Sequence, residues 1–303
     1  MPKNYLTAAR ERVANLRISA DEVRAGRRPP GFIPTGLTAL DSRGGIRRGC
    51  LTIFGGATGE GKSVLKLHLA TAAAKEGLKV EIIDMEDPLD RTVDRSLSTE
   101  TGLNNAQLGT GQLTDLELAR MDAAVTEMEW AERISVHDGL LSATEALGVL
   151  RQSEADVWFV DYLQGFPDGE GLERTIANFC WDANKLAQER NIGVVAFSQV
   201  RADVEHRGLR AADEHRRRHP DGAPHTEGFR PFGPADLAWC SAAGQRCKEL
   251  WFMHRPGRYA RRLGDRAAKD NVLELSAPKR NWGAEGTVRL RFDGPTAAIG
   301  DLT

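Results

Sequence analysis

The chain has 303 residues, 41% of them hydrophobic and 28% charged, with a formal net charge of −2. That length suits one large α/β domain or two small ones, and the near-neutral charge excludes wholesale polycation binding, so any nucleic-acid contact has to come from local basic patches. No apolar run approaches the ~20 residues that span a bilayer, and the first residues lack the apolar core of a signal peptide. Cys50, Cys180, Cys240 and Cys247 show no Cys-x-x-Cys pair and no zinc-ligand spacing. A soluble, cytoplasmic protein with buried reduced thiols and no membrane partner is the expectation.

From the N-terminus, Leu6, Val13, Leu16, Ile18 and Val23 recur at helical spacing among many charges, which predicts an amphipathic helix from about Leu6 to Arg24. Gly26-Arg-Arg-Pro-Pro-Gly31 detaches it, so a helix and connector (1–31) precede a main domain (32–303). A single helix cannot bury its own stripe, which leaves two surfaces open to it: its own domain or a neighbouring subunit.

Cys50 to Ser63 reads as a buried strand, a glycine-rich turn and the first turn of a helix. Gly56-Ala57-Thr58-Gly59-Glu60-Gly61-Lys62-Ser63 has the spacing of the phosphate-binding P-loop. Glycines let backbone N–H groups converge on phosphates, and the helix N-terminus adds partial positive charge. Lys62 can reach the β- and γ-phosphates, and the Ser63 hydroxyl can bind Mg²⁺. These residues point to a bound nucleoside triphosphate.

Further strands are predicted near 79–85, 133–136, 156–161 and 193–198, with helices near 62–75, 114–130, 142–152 and 173–190. The alternation argues for an α/β fold, a mostly parallel central sheet with helices on both faces. Leu250–Met253, Val272–Leu275 and Thr287–Phe292 have no long helices between them and are expected to extend the sheet as antiparallel strands or hairpins. The polar stretch Arg201–Gly233, rich in Arg, His, Gly and Pro, reads as a long loop that is functional or disordered. His215 and His219 would share a helix face there, but without a cysteine pattern zinc is disfavoured.

Several strand ends carry polar groups. Val157–Asp161 presents Asp161 at a carboxyl edge, where a P-loop fold positions Mg²⁺; the alternative is an N-cap or turn aspartate. Val80-Glu-Ile-Ile-Asp84-Met-Glu86-Asp87-Pro88 offers a base or water-orienting group beside the P-loop. Glu86 is the choice, Asp84 and Asp87 are rivals, and a solvated Asp-Pro turn is the bland alternative. Gln199, after Ser198, can hydrogen-bond a γ-phosphate and report it to the next loop, or be an ordinary strand terminus.

Together these motifs resemble the RecA-fold motor domain of DnaB-type replicative helicases, a RecA-like P-loop NTPase. Ile33–Asp41 is similar to that domain's opening segment, Gly56–Ser63 to its Walker A loop and Asp84-Met-Glu86 to its strand with the catalytic glutamate. Arg95 falls where the family keeps an arginine. Val160–Gln164 is similar to its Walker B segment, Phe197–Val200 to its phosphate-sensing strand and Phe252–Pro256 to a late strand. Pro278-Lys279-Arg280-Asn281, with Gly286–Phe292, resembles its arginine-finger segment and last strand; the likeness covers about residues 32–293.

The resemblance implies ATP as substrate, Mg²⁺ held by Ser63 and Asp161, and catalytic roles for Lys62, Glu86 and Gln199. It implies that Arg280 acts on a neighbour's nucleotide, which demands a head-to-tail homo-oligomer, a hexameric ring working in DNA replication. The N-terminal helix resembles, in position only, the linker helix that docks on the adjacent motor domain. Single-stranded DNA would thread the pore, touched by the loop after Gln199 (Arg201, Arg207, Arg210) and the loop after Pro256 (Arg258, Arg261, Arg262). A helicase loader or primase is an implied partner.

This sequence departs from the family in lacking the large N-terminal primase-binding domain, which puts primase recruitment through it in doubt and suggests a phage or mobile-element short form. Glu60 adds negative charge beside the phosphates. Pro278 stands where the family places lysine, which makes Arg280 the better candidate for the finger and leaves Lys279 unassigned. The rivals are a RecA- or KaiC-like ATPase and a non-motor, nucleotide-dependent module such as a helicase loader.

Overall fold

A computed structural model describes residues 4–25, 31–167, 171–220, 222–281 and 285–302. Of the expected connector only Gly31 lies within them, and the side chain of Val23 lies outside. The strands β1 (Phe32–Ile33) and β2 (Ile46–Arg47) pair antiparallel and lead into the main sheet. That sheet contains β3 (Cys50–Gly56), β4 (Val80–Asp84), β5 (Ile134–Asp138), β6 (Val157–Asp161), β7 (Gly193–Gln199), β8 (Glu249–His254), β9 (Val272–Arg280), β10 (Gly286–Asp293) and β11 (Ala298–Asp301). Its order is β11-β10-β9-β8-β3-β7-β6-β4-β5. From β8 to β5 every pairing is parallel, and β9, β10 and β11 continue antiparallel.

Central strands read as unbroken apolar runs because both faces are covered. Successive side chains alternate between two cores. Leu51, Ile53, Trp158, Val160, Val194 and Ala196 enter one core; Phe54, Val157, Phe159, Val195 and Phe197 enter the other. The first core is closed by α7 (Ala143–Gln152), α8 (Leu172–Arg190) and α10 (Ser241–Arg246). The second is closed by α3 (Lys62–Lys75), whose Leu65, Leu69, Ala70 and Ala73 are fully buried. Reciprocal capping boxes start two predicted helices: Thr114 with Glu117 opens α6 (Asp115–Glu127), and Ser142 with Glu145 opens α7.

Several expectations are corrected. β8 is parallel to β3, not antiparallel, because the segment between β7 and β8 carries the chain back across β3. The helices α4 (Leu89–Thr101) and α5 (Asn105–Thr110) fill the connection before α6. The long polar loop is largely a helix, α9 (Ala202–Arg218). Asp203 and Glu205 stand in its first turn and Arg216, Arg217 and Arg218 in its last, which suits the helix dipole. Asp213 pairs with Arg216 and Arg217, and Glu214 with Arg218, at helical spacings. The expected loop after Pro256 is likewise a helix, α11 (Pro256–Arg262). The terminal helix α1 (Tyr5–Arg24) forms as predicted, but Leu6, Val13, Leu16 and Ile18 remain 48–59% exposed, so its own domain does not cover that stripe. The short helix α2 (Thr38–Asp41) sits over the antiparallel end of the sheet.

Candidate active site

Parallel register brings the polar strand ends into one row. Gly56 of β3 lies beside Gln199 of β7, and Asp84 of β4 beside Asp161 of β6. These are carboxyl ends, the edge where open α/β sheets receive ligands. The P-loop turns there through left-handed residues at Gly59 (φ 80°) and Gly61 (φ 95°). A Cβ on Gly61 would lie 2.7 Å from the Phe292 ring, so glycine is required for space as well as conformation. Lys62 opens α3, and its buried ammonium donates to the carbonyls of Gly56 (3.2 Å) and Ala57 (3.3 Å). Burial pulls the Lys62 pKa down, against the pull of Glu86 and Asp161.

The acids after β4 separate by their partners. Asp84 is committed: Oδ1 accepts the backbone N–H groups of Glu86 (3.2 Å) and Asp87 (3.0 Å), and Oδ2 accepts from Lys66 (2.5 Å) and the Thr92 hydroxyl (3.3 Å). Asp87 pairs with Arg95 at 2.7 Å. Burial alone would raise the Asp87 pKa, but Arg95 and the Ser63 hydroxyl outweigh it and hold the carboxyl below its ordinary range. Glu86 has no ion-pair partner among the described residues, and burial together with nearby Asp161 raises its pKa. A cleft of about 310 Å³ brings Lys62, Ser63, Glu86, Asp87 and Arg95 together.

Asp161 is fully buried. Its Oδ2 accepts from Lys66 at 2.8 Å, while Oδ1 has no hydrogen-bond partner among the described residues. A buried anionic oxygen without a partner is costly. Carboxylate and hydroxyl oxygens are the donors that Mg²⁺ takes, so Asp161 and Ser63 fit that ion. Lys66 was not singled out from sequence, and Gln164 was named there only as the end of the Walker B-like segment, without a role. Lys66 interrupts the apolar face of α3, which was the available signal; desolvation opposes its charge, yet Asp161 and Asp84 together raise its pKa. Gln164 donates to the Ser198 hydroxyl (2.8 Å) and the Ala238 carbonyl (2.6 Å), and accepts the Gln199 N–H (3.1 Å), pinning the end of β7. Gln199 lines a second cavity of about 790 Å³ with Ala57, Thr58 and Arg201.

Glu60 does not stand bare beside the phosphate loop. It is 1% exposed and pairs with Arg258 at 2.7 Å; burial raises its pKa against the pull of Arg258. Arg255 donates to the Gly59 carbonyl at 2.9 Å, so α11 and the residue before it brace the P-loop.

The arginines expected to meet DNA lie on or beside helices, and most are engaged inside the protein. Arg258 pairs with Glu60, Arg262 with Glu205, and Arg207 with Asp236 at 3.1 Å. Arg261 donates to the Ala268 carbonyl at 2.7 Å. Arg201 pairs with exposed Asp203 and stays accessible. Arg210 is exposed and has no partner among the described residues. Arg280 also needs correction as a displayed finger. Antiparallel pairing sets it opposite Glu249, so its side chain is 1% exposed, 3.3 Å from that carboxylate and over the Trp251 ring at 4.9 Å. Lys279 donates to the Gly244 carbonyl at 3.3 Å. The His215 ring lies 4.7 Å from that of His219 and 5.2 Å from that of His225, and no cluster of three or more His, Cys, Asp or Glu side chains among the described residues is arranged to hold a metal. All of the cysteines are buried and free, and no described helix is long and apolar enough to cross a membrane.

Residues 32–301 match the family described as the DnaB-like helicase C terminal domain. A probable plasmid replicative DNA helicase of Chlamydia trachomatis is 28% identical over 182 residues, 57% of this chain and 40% of that protein. The replicative DNA helicase DnaB of Haemophilus influenzae is 25% identical over 284 residues, 89% of this chain and 55% of that one. This chain thus spans about half the length of such relatives. Among solved structures, one described as an ATPase domain superimposes over 100% of both chains with a TM-score of 0.78 at 19% identity. A DnaB-like replicative helicase, described with its primase interactions, matches 96% of this chain and 66% of its own with a TM-score of 0.75 at 19% identity. The fold is thus that of RecA-like ATPase domains, and the chain belongs to the DnaB-like helicase C-terminal domain family.

Proposed function

We propose that this chain is the ATP-hydrolysing motor of a replicative DNA helicase, a homohexamer that translocates on single-stranded DNA in the cytoplasm. The observation that carries this is the convergence, at one sheet edge, of a P-loop, a buried aspartate with one unpartnered oxygen and a glutamate without an ion pair. The P-loop amides, the α3 N-terminus and Lys62 hold the ATP phosphates. Ser63 and Asp161 would hold Mg²⁺, whose chemistry is to neutralise charge on the β- and γ-phosphate oxygens. Glu86 orients the attacking water and takes its proton; a raised pKa suits that task. Gln199, whose backbone N–H is held by Gln164, reads the γ-phosphate and passes the change along the chain to Arg201 and α9, which follow it directly. Arg280 of an adjacent copy leaves Glu249 and supplies charge to the transition state, a role worth about 10³–10⁵ in rate. A primase partner belongs to the same proposal, on the strength of the primase interactions described for the DnaB-like neighbour, and a helicase loader is carried by the sequence resemblance alone.

The test is ATP turnover with and without single-stranded DNA, together with strand displacement on a forked duplex with either tail removed in turn. Turnover stimulated by DNA, with unwinding, is expected from the parent, and neither is expected from Lys62→Ala. Turnover indifferent to DNA, or no unwinding of any fork, overturns the motor. One observation favours a second reading, a nucleotide-dependent binding module: Arg280 is held inside its own protomer by Glu249. Such a module binds nucleotide and shows no DNA-stimulated turnover.

A further inference from the structure

The carboxylates that end β4 and β6 share one lysine. Lys66 Nζ lies 2.5 Å from Asp84 Oδ2 and 2.8 Å from Asp161 Oδ2, and all of these side chains are at most 1% exposed. Lys66 stands one helical turn after Lys62, on the face of α3 that also buries Leu65, Leu69, Ala70 and Ala73. An apolar residue would serve packing there, and the phosphates already have Lys62. Three buried charges persist only when they are paired and hydrogen-bonded. Here one cation answers two anions, and Asp161 Oδ1 is left without a partner among the described residues. Asp84 in turn holds the backbone N–H groups of Glu86 and Asp87, so the lysine joins Asp161 to the loop that carries Glu86.

We propose that Lys66 is a positioning residue that grips Asp161 through Oδ2, reserves Oδ1 for a divalent cation and, by partly neutralising the carboxylate, weakens the site's hold on that cation. The proposal rests on the reading of Asp161 as the metal-holding acid. It makes metal affinity and metal placement opposed quantities, both set by a residue whose ion pairs are with Asp84 and Asp161.

The probe is Mn²⁺, whose binding to the protein–ADP complex is followed by electron paramagnetic resonance, with no turnover involved. Lys66→Met alone strands two buried carboxylates, so the test variants are Lys66→Gln and the charge-matched Lys66→Met/Asp84→Asn, each checked for a cooperative melt. Either is expected to bind Mn²⁺ about tenfold more tightly than the parent, about 1.4 kcal/mol, while kcat for ATP falls. Unchanged Mn²⁺ affinity in a folded variant overturns the proposal. Failure of both variants to fold also overturns it and leaves a purely structural lysine. Asp161→Asn separates the two levels: if it binds Mn²⁺–ADP as the parent does, the metal assignment of Asp161 is what fails.

Discussion

His254 ends β8 with its imidazole 1% exposed and its Nε2 without a hydrogen-bond partner among the described residues; its ring stacks on Tyr259 at 5.3 Å. Burial, and then Arg230, depress its pKa from 6.5 to about 4. Below 6.5 the unfolded chain binds this proton while the folded chain does not until about 4, so stability falls as pH drops through that window. The full loss is about 3 kcal/mol, because each tenfold difference in proton affinity between the folded and unfolded chains is worth about 1.4 kcal/mol. Between neutral pH and the acid end of that window, urea unfolding of His254→Leu is expected to lose about 3 kcal/mol less than the parent does. Equal losses would assign the acid sensitivity to other groups.

At the scale of elements, α9 and α11 form a small unit fixed to the phosphate loop. They follow the ends of β7 and β8 and are joined by the Arg262–Glu205 pair. Phe229 links them further: its ring stacks on Tyr259 of α11 at 4.3 Å, and there is room for it against α9 only because residue 208 is glycine. Through Arg258 this unit neutralises Glu60 on the P-loop. Arg258→Ala leaves that carboxylate buried and unpaired beside incoming phosphates. ATP affinity, measured by calorimetry with a non-hydrolysable analogue, is expected to fall about tenfold, or about 1.4 kcal/mol. Glu60→Gln/Arg258→Ala is expected to recover most of the loss, as coupled neighbours do. Equal affinities in the single and double variants would mean that the pair has no bearing on the phosphates.

Across the whole molecule, the sheet holds Arg280 and the P-loop apart. Arg280 sits opposite Glu249, which pairs with Thr52 of β3. Gly56 lies four residues further along that strand, roughly 13 Å at ~3.3 Å per residue. Arg280 therefore cannot serve its own P-loop, and any part it takes in hydrolysis is on another copy. Arg280→Met alone would strand the buried Glu249 at a cost of about 3–5 kcal/mol, so Glu249→Gln/Arg280→Met is the variant of choice. It retains the P-loop, and Lys62→Ala retains the arginine. Mixing these two inactive proteins is expected to restore turnover; a mixture as inert as its parts would place all the working groups within one chain. The uncovered stripe of α1 offers surface for such an assembly.

How much of this was legible in the sequence follows from the range of the forces involved. The P-loop was readable because strand, glycine turn and helix start are contiguous, and left-handed turns at Gly59 and Gly61 admit little else. The helices α6 and α7 were legible near 114–130 and 142–152, and the caps that start them are contained within a few residues. Asp161 and Gln199 were legible as strand ends, but their alignment with Asp84 and Gly56 is a matter of strand order. α9 was missed because its stabilising pairs are charges at helical spacing, which composition alone makes look like a loop. Tertiary structure alone decided that β8 would be parallel, that Arg280 would turn inward and that Lys66 would bridge residues 18 and 95 positions away. Local sequence determines turns, caps and which faces are apolar, because those energies act within a helical turn or a strand repeat. Which buried charge meets which is settled by the order in which strands pair, and no local pattern carries that order.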